Sequence, residues 1–174
     1  MTFEIHSDIT NRSMTIASRA MRKVLQRKSS ILWAIFGWSV FFINALLLIP
    51  FDGEPFTLDA RTVISLLVEV MLLSALLFQD RINGMIACKN TLAGTKDYHI
   101  TFGEESYTVV TEVATSTFRY ELIDAMAESQ DYMILLMKKR FAQPLDKRTL
   151  TGGTVEELKQ FLEEKTGKMF RRVK

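Results

Sequence analysis

The sequence ILWAIFGWSVFFINALLLIPF, residues 31–51, runs for 21 residues without a charged side chain. A helix rises about 1.5 Å per residue, so one of this length spans the roughly 30 Å hydrocarbon core of a bilayer. Trp33 lies near one end, where an indole favours the headgroup level, and Pro50 falls in the last turn. The stretch therefore predicts a transmembrane helix, because a buried core helix would need a larger protein around it than the rest of the chain supplies.

A second apolar stretch, residues 62–80, follows after a ten-residue link at 52–61. It is interrupted by Glu69 but is otherwise long and apolar enough to span a membrane. Two spans joined by so short and acidic a link predict a helical hairpin.

Basic residues flank the hairpin on both outer sides, whereas the link contains only Arg61. Basic residues remain on the cytoplasmic side of inner-membrane proteins. We therefore predict that both termini are cytoplasmic and that the link is extracytoplasmic.

Glu69 and Asn44 are a candidate intramembrane polar pair. Each is displaced toward the link from the middle of its span, which puts the two at similar depth. A hydrogen bond from a protonated Glu69 to the Asn44 amide would lock the hairpin by about 0.6–2 kcal/mol. The alternatives are a contact within a homo-oligomer and an ion or proton path, although two helices enclose no pore without further assembly.

Residues 1–30 predict a short strand at 2–5 and a basic amphipathic helix at 10–28 that leads into the first span. Two positions are open for this helix: on anionic headgroups, or with its apolar stripe docked on the C-terminal domain. Residues 81–97 form a cytoplasmic connector.

Residues 98–174 predict a separate domain, because the apolar period changes to that of strands. Four or five short antiparallel strands occupy 98–137. Gly152-Gly153 then forms a turn, and Thr154 with Glu157 forms a capping box that opens a helix ending at Gly167. The fold class is therefore an α+β membrane protein, a two-helix hairpin with a small antiparallel β-barrel or sheet capped by a C-terminal helix.

The arrangement resembles the YcxB-like family of bacterial membrane proteins. The resemblance is carried by a strand and helix before two adjacent spans, by the apolar strand Tyr132–Leu136, by Pro144–Arg148 and by the helix that begins at Thr154. It implies a pleckstrin-homology-like (PH-like) cytoplasmic domain, location in the bacterial cytoplasmic membrane and no known catalytic residues.

Enzyme chemistry has no support in the sequence. There is no phosphate-binding glycine loop, no nucleophile elbow and no Cys-x-x-Cys. Cys88 is the only cysteine, and His6 and His99 lie 93 residues apart without the spacing of a zinc or haem site. We predict no catalytic residues, no cofactor and no metal.

Binding at the membrane is the predicted function, through a protein or lipid partner at the cytoplasmic face. The first alternative is an immunity protein that protects the membrane from a toxin, and the second is a transport or channel subunit that uses Glu69. No nucleic acid is expected, since anionic lipid competes at the same surface. The candidate surface for anionic lipid or a partner consists of Arg19, Arg22, Lys23, Arg27, Lys138, Lys139, Arg140, Lys147, Arg148, Arg171 and Arg172.

Overall fold

The structure is a computed structural model that describes residues 2–49, 59–137 and 141–173. The helices are α1 (Asn11–Val24), α2 (Arg27–Leu47), α3 (Ala60–Asn90) and α4 (Val155–Thr166). The strands are β1 (Phe3–Asp8), β2 (Asp97–Phe102), β3 (Ser106–Thr111), β4 (Thr115–Arg119), β5 (Ile123–Glu128), β6 (Tyr132–Met137), β7 (Phe141–Asp146) and β8 (Phe170–Arg172).

The bounds of the three N-terminal helices differ from the predicted ones. Thr10 and Ser13 form a capping box at the start of α1, and α2 begins at Arg27, two residues after the α1 C-cap at Leu25. Helix α3 continues through most of the predicted connector to Asn90, with non-helical backbone at Phe78. The predicted link lies mostly outside the described residues, as does Pro50.

The strands form two open four-stranded sheets rather than a closed barrel, so the barrel prediction is wrong. Their orders are β1-β2-β3-β4 and β7-β6-β5-β8. A 3-10 turn at Tyr120–Leu122 separates β4 from β5, and β5 pairs with β6 and β8 instead of continuing the first sheet. We call the two sheets together with α4 the sheet domain. It includes the N-terminal strand, since Phe3 pairs with Phe102.

Strand β6 lies at the centre of the second sheet and is buried on both faces. Its Met133, Leu135 and Met137 pack in a core with both sheets and α4, whereas its Tyr132, Ile134 and Leu136 pack beneath α1. An uninterrupted apolar run is what a strand covered on both faces requires.

Helix α1 docks on the sheet domain, which is one of the two positions left open by the sequence. Ala17 and Ala20 are fully buried in the second core with Ile134 and Leu136. Small side chains on this face allow the helix to approach the sheet closely.

The C-terminal helix follows the sequence prediction. Thr154 and Glu157 form the capping box at the start of α4, and Gly167 ends the helix with φ 65°. Gly152 has φ 86° in the turn before it, a conformation that glycine adopts without strain. The basic tail contains β8, which the sequence did not predict, and Phe170 pairs there with Met126.

Candidate functional site

Helices α2 and α3 expose large apolar side chains around most of their surface. Trp33 is 69% exposed and Met71 is 73% exposed, although both are bulky and apolar. Both helices are long and apolar enough to cross a membrane. A soluble protein rarely leaves such a continuous apolar surface uncovered.

The hairpin is held to the sheet domain through α1. The Arg22 guanidinium donates two hydrogen bonds to the Asp80 carboxylate, from Nε to Oδ1 and from Nη2 to Oδ2, both at 2.6 Å. This bidentate pair raises the pKa of Arg22. It joins α1 to α3 at the end of the predicted second span.

The same two helices also touch through their backbones. A Cβ atom added to Gly84 of α3 would lie 2.5 Å from the backbone nitrogen of Thr15 in α1. Only glycine permits this approach without movement of one helix, so Gly84 allows α1 and α3 to cross in close contact.

A groove of about 710 Å³ lies where α1, the start of α2 and the second half of α3 meet. We call it the junction groove. Its walls carry apolar Met14, Met21 and Trp33 together with polar Gln79 and Asn83. Its remaining lining residues are Ala17, Ser18, Arg22, Gln26, Ser29, Ser30, Ala87 and Ala142.

The groove adjoins a basic mouth of about 320 Å³ at the start of α2, lined by Arg22, Lys23, Arg27, Ser30 and Ile31. The first turn of α2 has no acidic residue and no side-chain cap hydrogen bond. A helix N-terminus carries partial positive charge and free N–H groups, and here Arg27 and Lys28 add two full charges. The arrangement suits an anion such as a phosphate.

The basic residues that the sequence nominated do not form one surface. Arg19 and Arg22 both pair with Asp80. Lys147 pairs with Glu128 and Arg148 with Asp146, so four of the nominated residues are held in ion pairs. Within the described ranges, no ion pair engages Arg27, Arg171 or Arg172. Lys138, Lys139 and Arg140 lie outside the described residues.

Two of these regions are separate in the fold. Arg22, Lys23 and Arg27 line the mouth, whereas Arg19, Lys147 and Arg172 line another pocket, of about 820 Å³, that also contains Glu128. The Glu128 carboxylate accepts hydrogen bonds from Lys147 at 2.6 Å and Lys159 at 2.7 Å. This carboxylate therefore neutralises part of the positive charge around that pocket.

Sequence reasoning missed the acidic partners, above all Asp80. The signal that could have found it is its position, since Asp80 is an acid among the basic residues at the end of a predicted span. Arg22 lies 58 residues earlier in the chain, and only the docking of α1 brings the two together.

Glu69 is buried, with 8% of its surface exposed, and neither carboxylate oxygen has a hydrogen-bond partner among the described residues. The predicted hydrogen bond to Asn44 is therefore not formed in this structure. The two residues nevertheless occupy matching positions. Gly37 faces Leu76 across the hairpin, and Asn44 and Glu69 each lie seven residues, about two turns, from that contact toward the link.

The sheet brings His6 and His99 together as a cross-strand pair between β1 and β2. His6 Nε2 lies 3.7 Å from Asp8 Oδ1 and 3.3 Å from Asp97 Oδ1, and these three side chains have ligand atoms within 4.8 Å of one another. All three are exposed, and solvated groups of this kind are common without an ion. We assign no metal to them.

Comparison with known proteins supports the family resemblance in one region of the chain. No curated protein matches the chain. The family model described as YcxB-like protein matches residues 102–162, from the end of β2 into α4. The resemblance to the YcxB-like family is therefore confirmed over this part of the sheet domain.

Proposed function

We propose that this chain is a non-enzymatic, membrane-anchored binding protein of the bacterial cytoplasmic membrane, which binds anionic lipid headgroups at the cytoplasmic face. The basic N-terminus of α2 carries this proposal. It opens into the junction groove at the end of two apolar helices whose surfaces need a bilayer to cover them. A phosphate there would meet Arg27, the Ser30 hydroxyl and the first N–H groups of α2.

The docking of the sheet domain supports this assignment. Arg22 contributes to the mouth while it is held by Asp80. Because the same ion pair joins α1 to α3, the mouth is preformed and a ligand loses little to reorganisation on binding. Binding of a protein partner at the same face is the competing hypothesis. That binding would not require Arg27 and Lys28 to contact a phosphate.

Lipid retention tests the proposal. The full chain, purified in mild detergent, should retain phosphatidylglycerol in preference to phosphatidylethanolamine, as measured by mass spectrometry. The double variant Arg27→Gln, Lys28→Gln should lower that preference roughly 30-fold, since each basic residue at an anionic surface contributes about 1 kcal/mol.

Lys89→Gln with Lys96→Gln is the matched control. It removes the same charge at the C-terminal end of α3 and in the segment that follows, outside the residues that line the mouth, and the preference should remain. An equal loss in both double variants would indicate a general charge effect, and no loss in either would exclude the mouth as the binding site.

Cysteine labelling tests the membrane topology independently. In a Cys88→Ala background, single cysteines in the link at 52–61 and in the sheet domain should react from opposite sides of the membrane. Labelling of both positions from one side would contradict the hairpin topology.

A further inference from the structure

A largely apolar cavity of about 470 Å³ lies between the two sheets and the C-terminal end of α3. Tyr98, Val109 and Phe118 line it from the first sheet, and Phe141 and Gln143 line it from the second. It shares no lining residue with the basic mouth. A volume of this size lies within the range of small-molecule sites, which are about 300–1,000 Å³.

Gln143 is a polar residue on the face of β7 that packs against the core. Leu145 lies two residues further along the strand and therefore on the same face, and it is fully buried in the core between the sheets. Gln143 is itself only 5% exposed, and its Oε1 atom has no hydrogen-bond partner among the described residues. An amide buried without a partner costs free energy, which a hydrogen bond to a ligand in the cavity would recover.

Two hydroxyl groups in the wall of the cavity are already used by backbone carbonyl groups. The Tyr98 hydroxyl donates to the Pro144 carbonyl, and the Thr111 hydroxyl donates to the Ala114 carbonyl at 2.9 Å. Neither proton is available to Gln143, because each hydroxyl has a single proton to donate. A hydrogen-bond partner for the Gln143 amide must therefore come from outside the wall.

The composition of the wall defines the class of ligand. None of the described residues that line the cavity carries a charge, so a charged ligand would lose its hydration without compensation. At the rim, Leu92 and Phe141 are 74% and 53% exposed, which gives the cavity an apolar entrance. A hydroxyl group suits the amide best, since it both donates and accepts and can satisfy either end of the amide.

We propose that this cavity binds a neutral, largely hydrocarbon molecule whose hydroxyl group hydrogen-bonds the Gln143 side-chain amide. The site adds a second ligand to the proposed headgroup binding and does not depend on it. Because both sheets and the end of α3 contribute to the wall, the bound molecule would complete the packing between them.

Photo-crosslinking of the full chain in phosphatidylcholine nanodiscs tests the proposal. The probe is a benzyl alcohol that carries a trifluoromethyl diazirine on its ring, and the comparison probe has a methyl group in place of the hydroxyl. Label on peptides that contain Phe118 or Phe141 is divided by label on α2, which reports each probe's concentration in the lipid. This ratio should be about fivefold higher for the alcohol, the contribution of one neutral hydrogen bond.

Gln143→Leu should remove the difference between the two probes, since it deletes the amide and keeps an apolar side chain. Gln160→Leu is the matched control, because Gln160 is exposed on α4 and does not line the cavity, and it should keep the fivefold preference. Without a probe, Gln143→Leu should not lower the midpoint of thermal unfolding, since the Oε1 atom has no partner to lose.

Ser116→Trp tests the cavity without a change at Gln143. Ser116 lines the cavity from an exposed position on β4, so the indole should fill the space and remove most of the strand label for both probes. Thr117→Trp is its control and should label as the wild type does, since adjacent residues of a strand face opposite sides.

Equal ratios for the two probes in the wild type would overturn the proposal, as would a preference for the alcohol that survives Gln143→Leu. A lower unfolding midpoint in Gln143→Leu would show that the amide has a partner within the protein, which also overturns it. Unchanged strand label in Ser116→Trp would place the probe outside the cavity. None of these results bears on retention of phosphatidylglycerol, which tests headgroup binding separately.

Discussion

Residues 31–47 of helix α2 and all of strand β6 lack charged side chains, yet α2 is exposed and β6 is buried. Leu135 in β6 is fully buried, whereas Ile43 in α2 is 60% exposed. A strand of six residues can be covered by one helix on one face and a second sheet on the other. Helix α2 presents large apolar side chains on most of its surface, and the described residues leave them largely uncovered. An apolar run therefore indicates a core or a membrane segment according to how much protein is available to bury it.

The largest expected effect comes from creating a cavity at β6, the buried apolar stretch. Leu135→Ala should destabilise the sheet domain by about 2–5 kcal/mol, since it leaves a cavity in a close-packed core. Thermal unfolding of the detergent-solubilised protein, followed by far-UV circular dichroism, measures the change. Leu46→Ala in α2, where the side chain is 53% exposed, is the control and should shift the unfolding of the sheet domain little. Equal shifts would contradict the distinction between the two stretches.

Ile43→Lys tests whether α2, the exposed apolar stretch, crosses a membrane. On the surface of a soluble protein this exposed position would accept lysine with little cost. In a bilayer the same change should cost about 2.5–3.5 kcal/mol of insertion free energy. A glycosylation-based insertion assay of residues 27–49 measures it, with Ile43→Leu as the control. Failure of the unsubstituted segment to insert would contradict a membrane-spanning α2, and equal insertion of the lysine and leucine variants would mean that position 43 does not lie in the hydrocarbon core.

Acid should lower the stability of the sheet domain through protonation of Glu128 at the end of β5. Burial opposes ionisation of this carboxyl group, but hydrogen bonds from Lys147 and Lys159 outweigh burial and lower its pKa from 4.5. A lowered folded-state pKa means that the ion pairs stabilise the domain above pH 4.5 and that this stability is lost as the pH falls through the folded value.

Glu128→Gln should therefore cost about 1–3 kcal/mol at neutral pH and flatten the loss of stability between neutral and acid pH. Urea unfolding at a series of pH values measures both effects. A variant that retains the full acid dependence of the wild type would show that Glu128 is not its source.

The smallest expected effect is at Glu69. Because no described residue hydrogen-bonds its carboxylate, Glu69→Gln removes no partner contact, and hairpin stability should change by less than about 1 kcal/mol. Protease resistance of the reconstituted protein measures hairpin integrity, and ion flux into liposomes measures transport. Flux in the wild type that disappears in Glu69→Gln would favour the transport hypothesis over a structural role.

Local pattern predicted most of the secondary structure. The alternation around Ile100 and Val109 predicted strands, and the capping box at Thr154 predicted the start of α4 within one residue. Both signals act over a few residues and need no partner. Strand β8 escaped prediction because its Phe170 and Arg171 read as a basic tail, and its pairing with β5 is a contact across more than 40 residues.

The candidate sites could be predicted less well than the secondary structure, because they depend on long-range contacts. The basic residues of α1 and α2 were evident in sequence, but the carboxylates that neutralise some of them were not. The junction groove exists because Gly84 lets α1 approach α3, and a cavity of about 470 Å³ exists because the two open sheets pack beside the end of α3. No pattern within a single segment encodes either space.

The sequence by itself determined the apolar hairpin, the basic charge before it and the change to strand periodicity after it. These follow from hydropathy, charge and period, which are properties of neighbouring residues. Only the tertiary structure decided that the sheets stay open, that β1 completes the first of them, and that Arg22 holds Asp80. Each depends on groups that are distant in the chain and meet only because burial of β6 and α1 draws them together.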